Sequence, residues 1–308
     1  MMTGRPIRRA LPAEAAITRW AAADGWPLRR FDWAGTGRGT ILFQGGRGDV
    51  IEKYLEAFEH WHAAGWSITA FDWRGQGGSG RLSADPHVGH ATDFAPWIAD
   101  LAAVWRTLDA HGPRVVMGHS MGGHLVLRAM LEQAIDPAAA VLIAPMLGLK
   151  TPIGAGMAER LARLMRGLGD PARPAWKGHE RPGARLDRQK LLTSDRSRYE
   201  DEQYWYEQVP EIKLGPPSWS WLAEAFASTR LQRADPRLAT LAIPILMLVA
   251  EADGLVDSRA AIGVAGLLPN AQLVRFGRES AHEILREADP VRGRALAAID
   301  AFLTAEAP

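Results

Sequence analysis

The segment Val115-Val116-Met117-Gly118-His119-Ser120-Met121-Gly122-Gly123 runs from an apolar stretch into G-x-S-x-G and on into a helical pattern. Strand, turn and helix in that order demand a sharp reversal at Ser120. The backbone crowding there is relieved only where the flanking positions lack side chains, as Gly118 and Gly122 do. The turn then pushes the Ser120 hydroxyl outward, and the helix starting at Met121 aims its first N–H groups toward whatever reacts there. A chance Gly-Ser-Gly turn would carry the bare pattern without these flanks, so the segment reads as a nucleophile elbow.

Such an elbow sits on a parallel sheet, and the rest of the chain supplies one. Short apolar runs at 40–43, 67–71, 114–117 and 140–144 read as buried parallel strands. Helical patterns at 51–64, 94–110 and 121–134 lie between them, as repeated βαβ units require. The rhythm returns with strands at 243–250 and 271–276 and helices around 258–267 and 292–303, while 26–33 predicts an antiparallel edge strand. The interval 146–233, rich in Arg, Pro, Gly and Trp, breaks this rhythm and shows no buried-strand pattern. The expected organisation is therefore an α/β core over 1–145 and 234–308, with a mostly helical cap inserted over 146–233. Within the cap, Met157, Leu161, Leu164, Met165 and Leu168 share one helical face, and Arg160, Arg163 and Arg166 point elsewhere.

Composition narrows the function classes. A chain of 308 residues can bury a real core, and 36 Lys+Arg against 35 Asp+Glu gives no basic field for nucleic acid, so no nucleic-acid partner is expected. The absence of Cys excludes disulfides, thiolate metal sites and a thiol nucleophile, and fits a reducing compartment. Residues 1–20 carry Arg5, Arg8 and Arg9 but no continuous apolar region of the kind a secretory signal has, and no uncharged apolar run reaches about 18 residues. A cytoplasmic protein with at most peripheral membrane contact is the expectation. The spacing Gly75-x-Gly77-x-x-Gly80 after a strand fits a dinucleotide fingerprint, but residues 81–86 open no amphipathic helix to hold a pyrophosphate. G-x-x-x-x-G-K-[ST] and H-E-x-x-H are missing, and adjacent spacing splits His60 and His62 across helix faces. No cofactor and no catalytic metal are expected.

Serine alone is a weak nucleophile; it needs a base, itself oriented by an acid, and on a fold of this kind they follow in the order Ser, acid, His. After Ser120 the histidines are His124, in the elbow helix, His179, in the cap, and His282, beyond the last strand. His282 is the base candidate, and the other two read as packing or surface residues. The strand at 243–250 is followed by Glu251, Asp253 and Asp257. Asp253 is preferred because it falls in the turn immediately beyond the strand, with Asp257 second and Glu251 third; the losers read as loop or helix-cap residues.

These features sit among others that together resemble the serine α/β-hydrolases of the lysophospholipase and monoacylglycerol lipase group, in particular the bacterial lysophospholipases. The matching motifs are Lys53-Tyr54, Asp72-Trp73-Arg74-Gly75-Gln76-Gly77-Gly78-Ser79-Gly80-Arg81, the elbow, Leu192-Thr193-Ser194-Asp195 with Arg198-Tyr199, and Ser280-Ala281-His282-Glu283. They cover most of the chain between about residues 39 and 302. The resemblance implies an α/β-hydrolase fold, a mostly parallel central sheet flanked by helices, with an inserted helical cap. It places the acid on Asp253, the base on His282, and the oxyanion-hole N–H donors on Gly46 and Met121. The loop carrying Gly46 reads Gln44-Gly45-Gly46 where many relatives have His-Gly at the first two positions, and Ala250 stands where a Gly usually precedes the acid turn.

The resulting expectation is a cofactor-independent serine hydrolase for esters of medium or long acyl chains, with a monoacylglycerol or lysophospholipid as substrate. A general carboxylesterase or an acyltransferase shares the same motifs, because the acceptor is not written in them. A non-catalytic binding protein on this fold is opposed by the intact Ser120, Asp253 and His282. Trp205, Trp219 and Trp221, with Met157 and Leu161, are the candidates for an acyl pocket, although anchoring of the cap would use the same aromatics. Twelve cations against five anions between Lys150 and Arg198 suggest attraction to anionic lipid or to an anionic substrate head group, and a merely solvated cap would show the same excess.

Overall fold

The computed structural model describes residues 7–109, 111–176 and 188–308. Among them eight strands form one sheet: β1 (Ala16–Ala21), β2 (Pro27–Trp33), β3 (Gly39–Gln44), β4 (Trp66–Phe71), β5 (Arg114–His119), β6 (Ala139–Ile143), β7 (Ile245–Ala250) and β8 (Ala271–Phe276), in the spatial order β1-β2-β4-β3-β5-β6-β7-β8. Strands β4 through β8 and β3 pair in parallel, while β1/β2 and β2/β4 are antiparallel. The central strands read as unbroken apolar runs because both of their faces are covered. Ile41 and Phe43 of β3 enter one core layer and Leu42 the other; Val115 and Met117 of β5 alternate with Val116 in the same way.

The helices flanking the sheet are α1 (Leu55–Ala63), α2 (Ala95–Trp105), α3 (Met121–Leu131), α8 (Ser258–Ala265) and α9 (Asp289–Glu306). Three expected helices are shorter than their patterns. Residues 51–54 form a 3₁₀ turn before α1, α2 ends at Trp105, and α3 ends at Leu131, three residues before its pattern does. The segment 26–33 is a strand, as expected, but not the edge. β1 takes the edge position, with Ala16 opposite Asp32 and Ala21 opposite Pro27. Its residues are mostly exposed, so it lacks the apolar run that marks the inner strands.

Between β6 and β7 the described residues hold the helices α4 (Ala155–Arg166), α5 (Arg188–Leu192), α6 (Arg196–Gln208) and α7 (Trp219–Arg233), and no named strand. The apolar face predicted for α4 exists, but it points to solvent. Met157, Leu161 and Leu164 are 57%, 42% and 59% exposed, whereas Ala158 and Ala162 pack on Ala223 and Phe226 of α7. Small side chains let the two helices approach closely, which leaves the long ones outside.

Candidate active site

The carboxyl ends of β3, β5, β7 and β8 lead into loops at one edge of the sheet, the edge where open α/β sheets bind ligands. At the end of β5, Ser120 has φ 52° and ψ −117°, an unfavourable conformation for a residue with a side chain. Its neighbours hold it there. The Ser120 N–H donates to Ile143 O at 2.9 Å, and its carbonyl accepts from Met146 N–H at 2.9 Å and His124 N–H at 3.1 Å. A Cβ on Gly118 would lie 2.6 Å from the Gly123 nitrogen, and one on Gly122 would lie 2.4 Å from the Gln44 carbonyl oxygen. The second glycine thus serves the packing of α3 against the end of β3 as much as the turn. Met121 is the first residue of α3, where the amides have no intrahelical acceptor.

The loops after β7 and β8 bring two of the expected residues together. His282 Nδ1 lies 2.5 Å from Asp253 Oδ2, and both side chains are buried. Asp253 Oδ1 accepts from the Leu255 and Val256 N–H groups at 2.7 and 3.1 Å. Burial opposes ionisation of Asp253, but attraction to His282 and these hydrogen bonds outweigh it and hold the carboxyl below its usual range. Burial likewise opposes a charged His282; the Asp253 carboxylate prevails and raises the imidazole above its ordinary value. With Nδ1 turned to the acid, Nε2 is the nitrogen left for a reacting group. Ser120, His282 and Gly46 line one cavity of about 440 Å³.

The competing carboxylates are occupied elsewhere. Asp257 caps α8 by accepting the Arg259 N–H at 3.0 Å, and Glu251 pairs with Arg275 at the surface. His124 is fully buried, with Nε2 2.9 Å from Ser228 Oγ; burial, then Arg128, pushes it down to about 3, so it is neutral and serves packing. His179 lies outside the described residues.

The loop after β3 holds something the sequence reading missed. Gly46 stands beside the serine, since a Cβ on it would be 2.9 Å from Ser120 Cβ, but its N–H donates to Asp49 Oδ2 at 2.7 Å. The N–H expected to serve an oxyanion is thus beside the serine and engaged by a carboxylate. The same Oδ2 accepts from the Tyr54 hydroxyl at 2.5 Å and lies 2.9 Å from His119 Nδ1, while Oδ1 accepts from Lys53 Nζ at 2.5 Å. Lys53 also reaches Glu283, next to His282, at 2.6 Å. Arg286 pairs with Glu283 and lies 3.5 Å from Glu202, which Arg188 approaches to 3.1 Å. Burial opposes every charge in this network. Lys53 and His119 nevertheless keep Asp49 well below the usual carboxylate range, and the carboxylates of Asp49, Glu202 and Glu283 raise Lys53. Gln44 contributes nothing comparable: its amide is buried and lacks a partner among the described residues. The loop is braced instead by Trp73 Nε1–H donating to Gly45 O and the Gly48 N–H donating to Gln76 Oε1, at 2.8 and 2.7 Å.

Of the five acyl-pocket candidates, Leu161, Trp219 and Trp221 line the cavity, together with Leu149, Leu222 and Phe226. Trp205 does not. It is buried in the core layer that covers the α1 side of the sheet, with Nε1–H donating to Arg8 O at 2.8 Å. Met157 does not line it either, because its position on α4 turns it to solvent. The Gly75 to Gly80 loop folds onto Asp72, which accepts the Gly78 N–H at 2.8 Å, and the next helix begins only at Ala95. Among the described residues no group of three His, Asp or Glu is arranged to hold a metal ion, and no helix is long and apolar enough to cross a membrane.

The family described as serine aminopeptidase, S33, matches residues 23–289. The chain is 32% identical over 272 residues to lysophospholipase L2 of Escherichia coli strain K12, covering 83% of this chain and 78% of that one. It is 26% identical over 220 residues to monoglyceride lipase of Rattus norvegicus, covering 67% of each. Among solved structures it superposes on a soluble variant of monoglyceride lipase from Saccharomyces cerevisiae with a TM-score of 0.76 at 18% identity, covering 99% of both chains.

Proposed function

We propose, from the premise that the chain belongs to the α/β-hydrolase family described as serine aminopeptidase, S33, and within it to the lysophospholipase and monoglyceride lipase group, that it is a carboxylic ester hydrolase acting on medium- or long-chain acyl esters of glycerol or glycerophospholipid type. In this reading Ser120 Oγ attacks the ester carbonyl while His282 Nε2 takes its proton. The imidazolium, stabilised by Asp253, then returns that proton to the departing alcohol as the carbon–oxygen bond breaks. Water, activated by the same imidazole, releases the acid from the acyl-serine. The Met121 and Gly46 N–H groups serve the oxyanion, the latter by turning from Asp49 to the substrate.

The observation that carries the reading is His282, held by Asp253, lining the same cavity as the strained Ser120. An apolar wall of Leu161, Trp219, Trp221 and Phe226 suits an acyl chain, and residues 146–233 act as the cap that supplies it. On α4, Met157 and Leu164 are exposed apolar residues on the helix that also carries Arg160, Arg163 and Arg166, a composition that favours peripheral contact with an anionic bilayer.

The test is a series of p-nitrophenyl esters from acetate to palmitate, run with lysophospholipid and monoacylglycerol of matched chain and with fluorophosphonate labelling. Each buried methylene is worth about 0.8 kcal/mol, so kcat/KM should climb about fourfold per methylene until the pocket is full. A preference for acetate over octanoate defeats the acyl-pocket assignment. Failure of Ser120 to take the label defeats the serine mechanism.

A further inference from the structure

Ester cleavage by Ser120, His282 and Asp253 makes no use of one cation in the cavity wall. Arg47 follows Gly46 in the loop after β3 and lines the cavity with Ser120. Its guanidinium carbon lies 5.3 Å from the centre of the Trp221 ring, and Nη2 donates to the Gly215 carbonyl. Nε is buried and has no hydrogen-bond partner among the described residues, and none of their carboxylates pairs with this arginine. The surrounding charges are already matched: Lys53, Arg188 and Arg286 face Asp49, Glu202 and Glu283. Arg47 is left over. Burial, then repulsion from Arg188, pulls its pKa down to about 10, so it stays protonated at neutral pH.

A buried donor without an acceptor is costly, and more so when it is charged, so a guanidinium that lacks a carboxylate partner and leaves Nε unmatched beside a reactive serine suits an anionic ligand. An amphiphile suits this cavity, because the same wall that presents Arg47 also carries the apolar side chains of Trp219, Leu161 and Phe226. A neutral acylglycerol could offer Nε only an uncharged hydroxyl or ester oxygen and would leave the cation without a counter-charge. A lysophospholipid carries an anionic phosphodiester on the same glycerol as its ester, and a guanidinium binds phosphate through charge-assisted hydrogen bonds. We propose that Arg47 is the subsite for the phosphate of a lysophospholipid, and that it makes the enzyme favour acyl glycerophospholipids over acylglycerols of the same chain length. The inference rests on the ester-hydrolase reading above and adds the head group to it.

The experiment compares 1-acyl lysophosphatidylglycerol with 1-monoacylglycerol of the same chain, each at equal mole fraction in neutral detergent micelles, on wild type, Arg47→Gln and Arg47→Lys. The expected result is that Arg47→Gln lowers the ratio of the two kcat/KM values by about tenfold to a hundredfold, mainly through KM, the range spanned by a hydrogen bond to a charged group. Arg47→Lys, which keeps the charge, should recover part of it. A ratio within twofold of wild type in Arg47→Gln overturns the assignment, whether both activities fall together or neither moves. A measurement independent of variant folding uses wild type alone: an ether-linked lysophosphatidylglycerol should inhibit p-nitrophenyl ester turnover at least tenfold more tightly than the matching monoalkylglycerol, and equal inhibition overturns the proposal. Failure of the underlying reading looks different, because wild type would then hydrolyse none of the three esters.

Discussion

Replacing Asp253 by Asn tests the proposed acid against both of its neighbours. The carboxylate accepts His282 Nδ1 on one oxygen at 2.5 Å and the Leu255 and Val256 amides on the other. Asparagine can still accept from the two amides, so the turn should hold. What it loses is the negative charge that keeps the His282 proton on Nδ1 and stabilises the imidazolium formed during attack. The same substitution in serine proteases costs about 10⁴ in rate, or ~5.5 kcal/mol of transition-state stabilisation. Asp257→Ala removes only the cap of α8, worth about 0.5–2 kcal/mol of stability, and Glu251→Gln breaks an exposed pair with Arg275 worth at most ~1 kcal/mol. Steady-state kinetics on a soluble p-nitrophenyl ester, with urea unfolding of the same preparations, should therefore separate the three: catalysis collapses with stability nearly kept for Asp253→Asn, and stability dips with catalysis within a few-fold for the other two. An Asp253→Asn enzyme above a tenth of wild-type kcat/KM, or a larger catalytic loss in Asp257→Ala, refutes the assignment.

Ser120→Ala should abolish nearly all turnover, a loss of about 10⁴ to 10⁶, while circular dichroism and unfolding stay native; more than a tenth of wild-type activity in a folded preparation removes Ser120 as nucleophile. The base must be neutral to act, and its partner Asp253 raises His282 above its ordinary value, so kcat/KM should fall as pH drops through a midpoint above about 6.5. An acid limb centred at pH 5.5 or below would contradict that pairing. Lys53→Met leaves Asp49 and Glu283 buried without the cation between them, so the urea-derived stability should drop by about 3–5 kcal/mol, and a change under ~1 kcal/mol would show that the network is not intact in solution.

Local patterns made part of this molecule readable from sequence. The elbow needs only consecutive residues, and the inner strands announce themselves because both faces are apolar. His282 and Asp253 followed from their places after the last strands, since loops at one edge of a parallel sheet converge whatever their sequence separation. β1 escaped because an edge strand in water shows no apolar run, with Ile17 and Trp20 scattered among Thr18 and Arg19. Trp205 and Met157 were misplaced for a related reason. Aromatic density or helical periodicity identifies a face, but it does not say whether that face meets the cavity, the opposite core layer or solvent. Asp49 was hidden most completely, because its contacts draw on Tyr54, five residues away, and His119, seventy residues away, and a lone acid in a glycine-rich loop reads as a turn residue.

The Asp49 carboxylate has a place in the proposed chemistry that is clear only once all of its partners are counted together. In the proposed chemistry the oxyanion takes the Gly46 N–H, which in this structure donates to Asp49 Oδ2. Moving that donor from one anionic oxygen to another exchanges one charge-assisted hydrogen bond for a similar one, so the step costs little net enthalpy. Asp49 does not become an orphan when it happens, because Lys53, Tyr54 and His119 remain on it. A carboxylate so near a developing negative charge would ordinarily oppose it. Here Lys53 offsets that field, and the same ammonium binds Glu283 beside the base, so one buried cation steadies both the oxyanion loop and the loop that carries His282. The motif pairing Lys53 with Tyr54 thereby acquires a physical reason: both side chains converge on Asp49, which holds the Gly46 amide that the proposed mechanism assigns to the oxyanion.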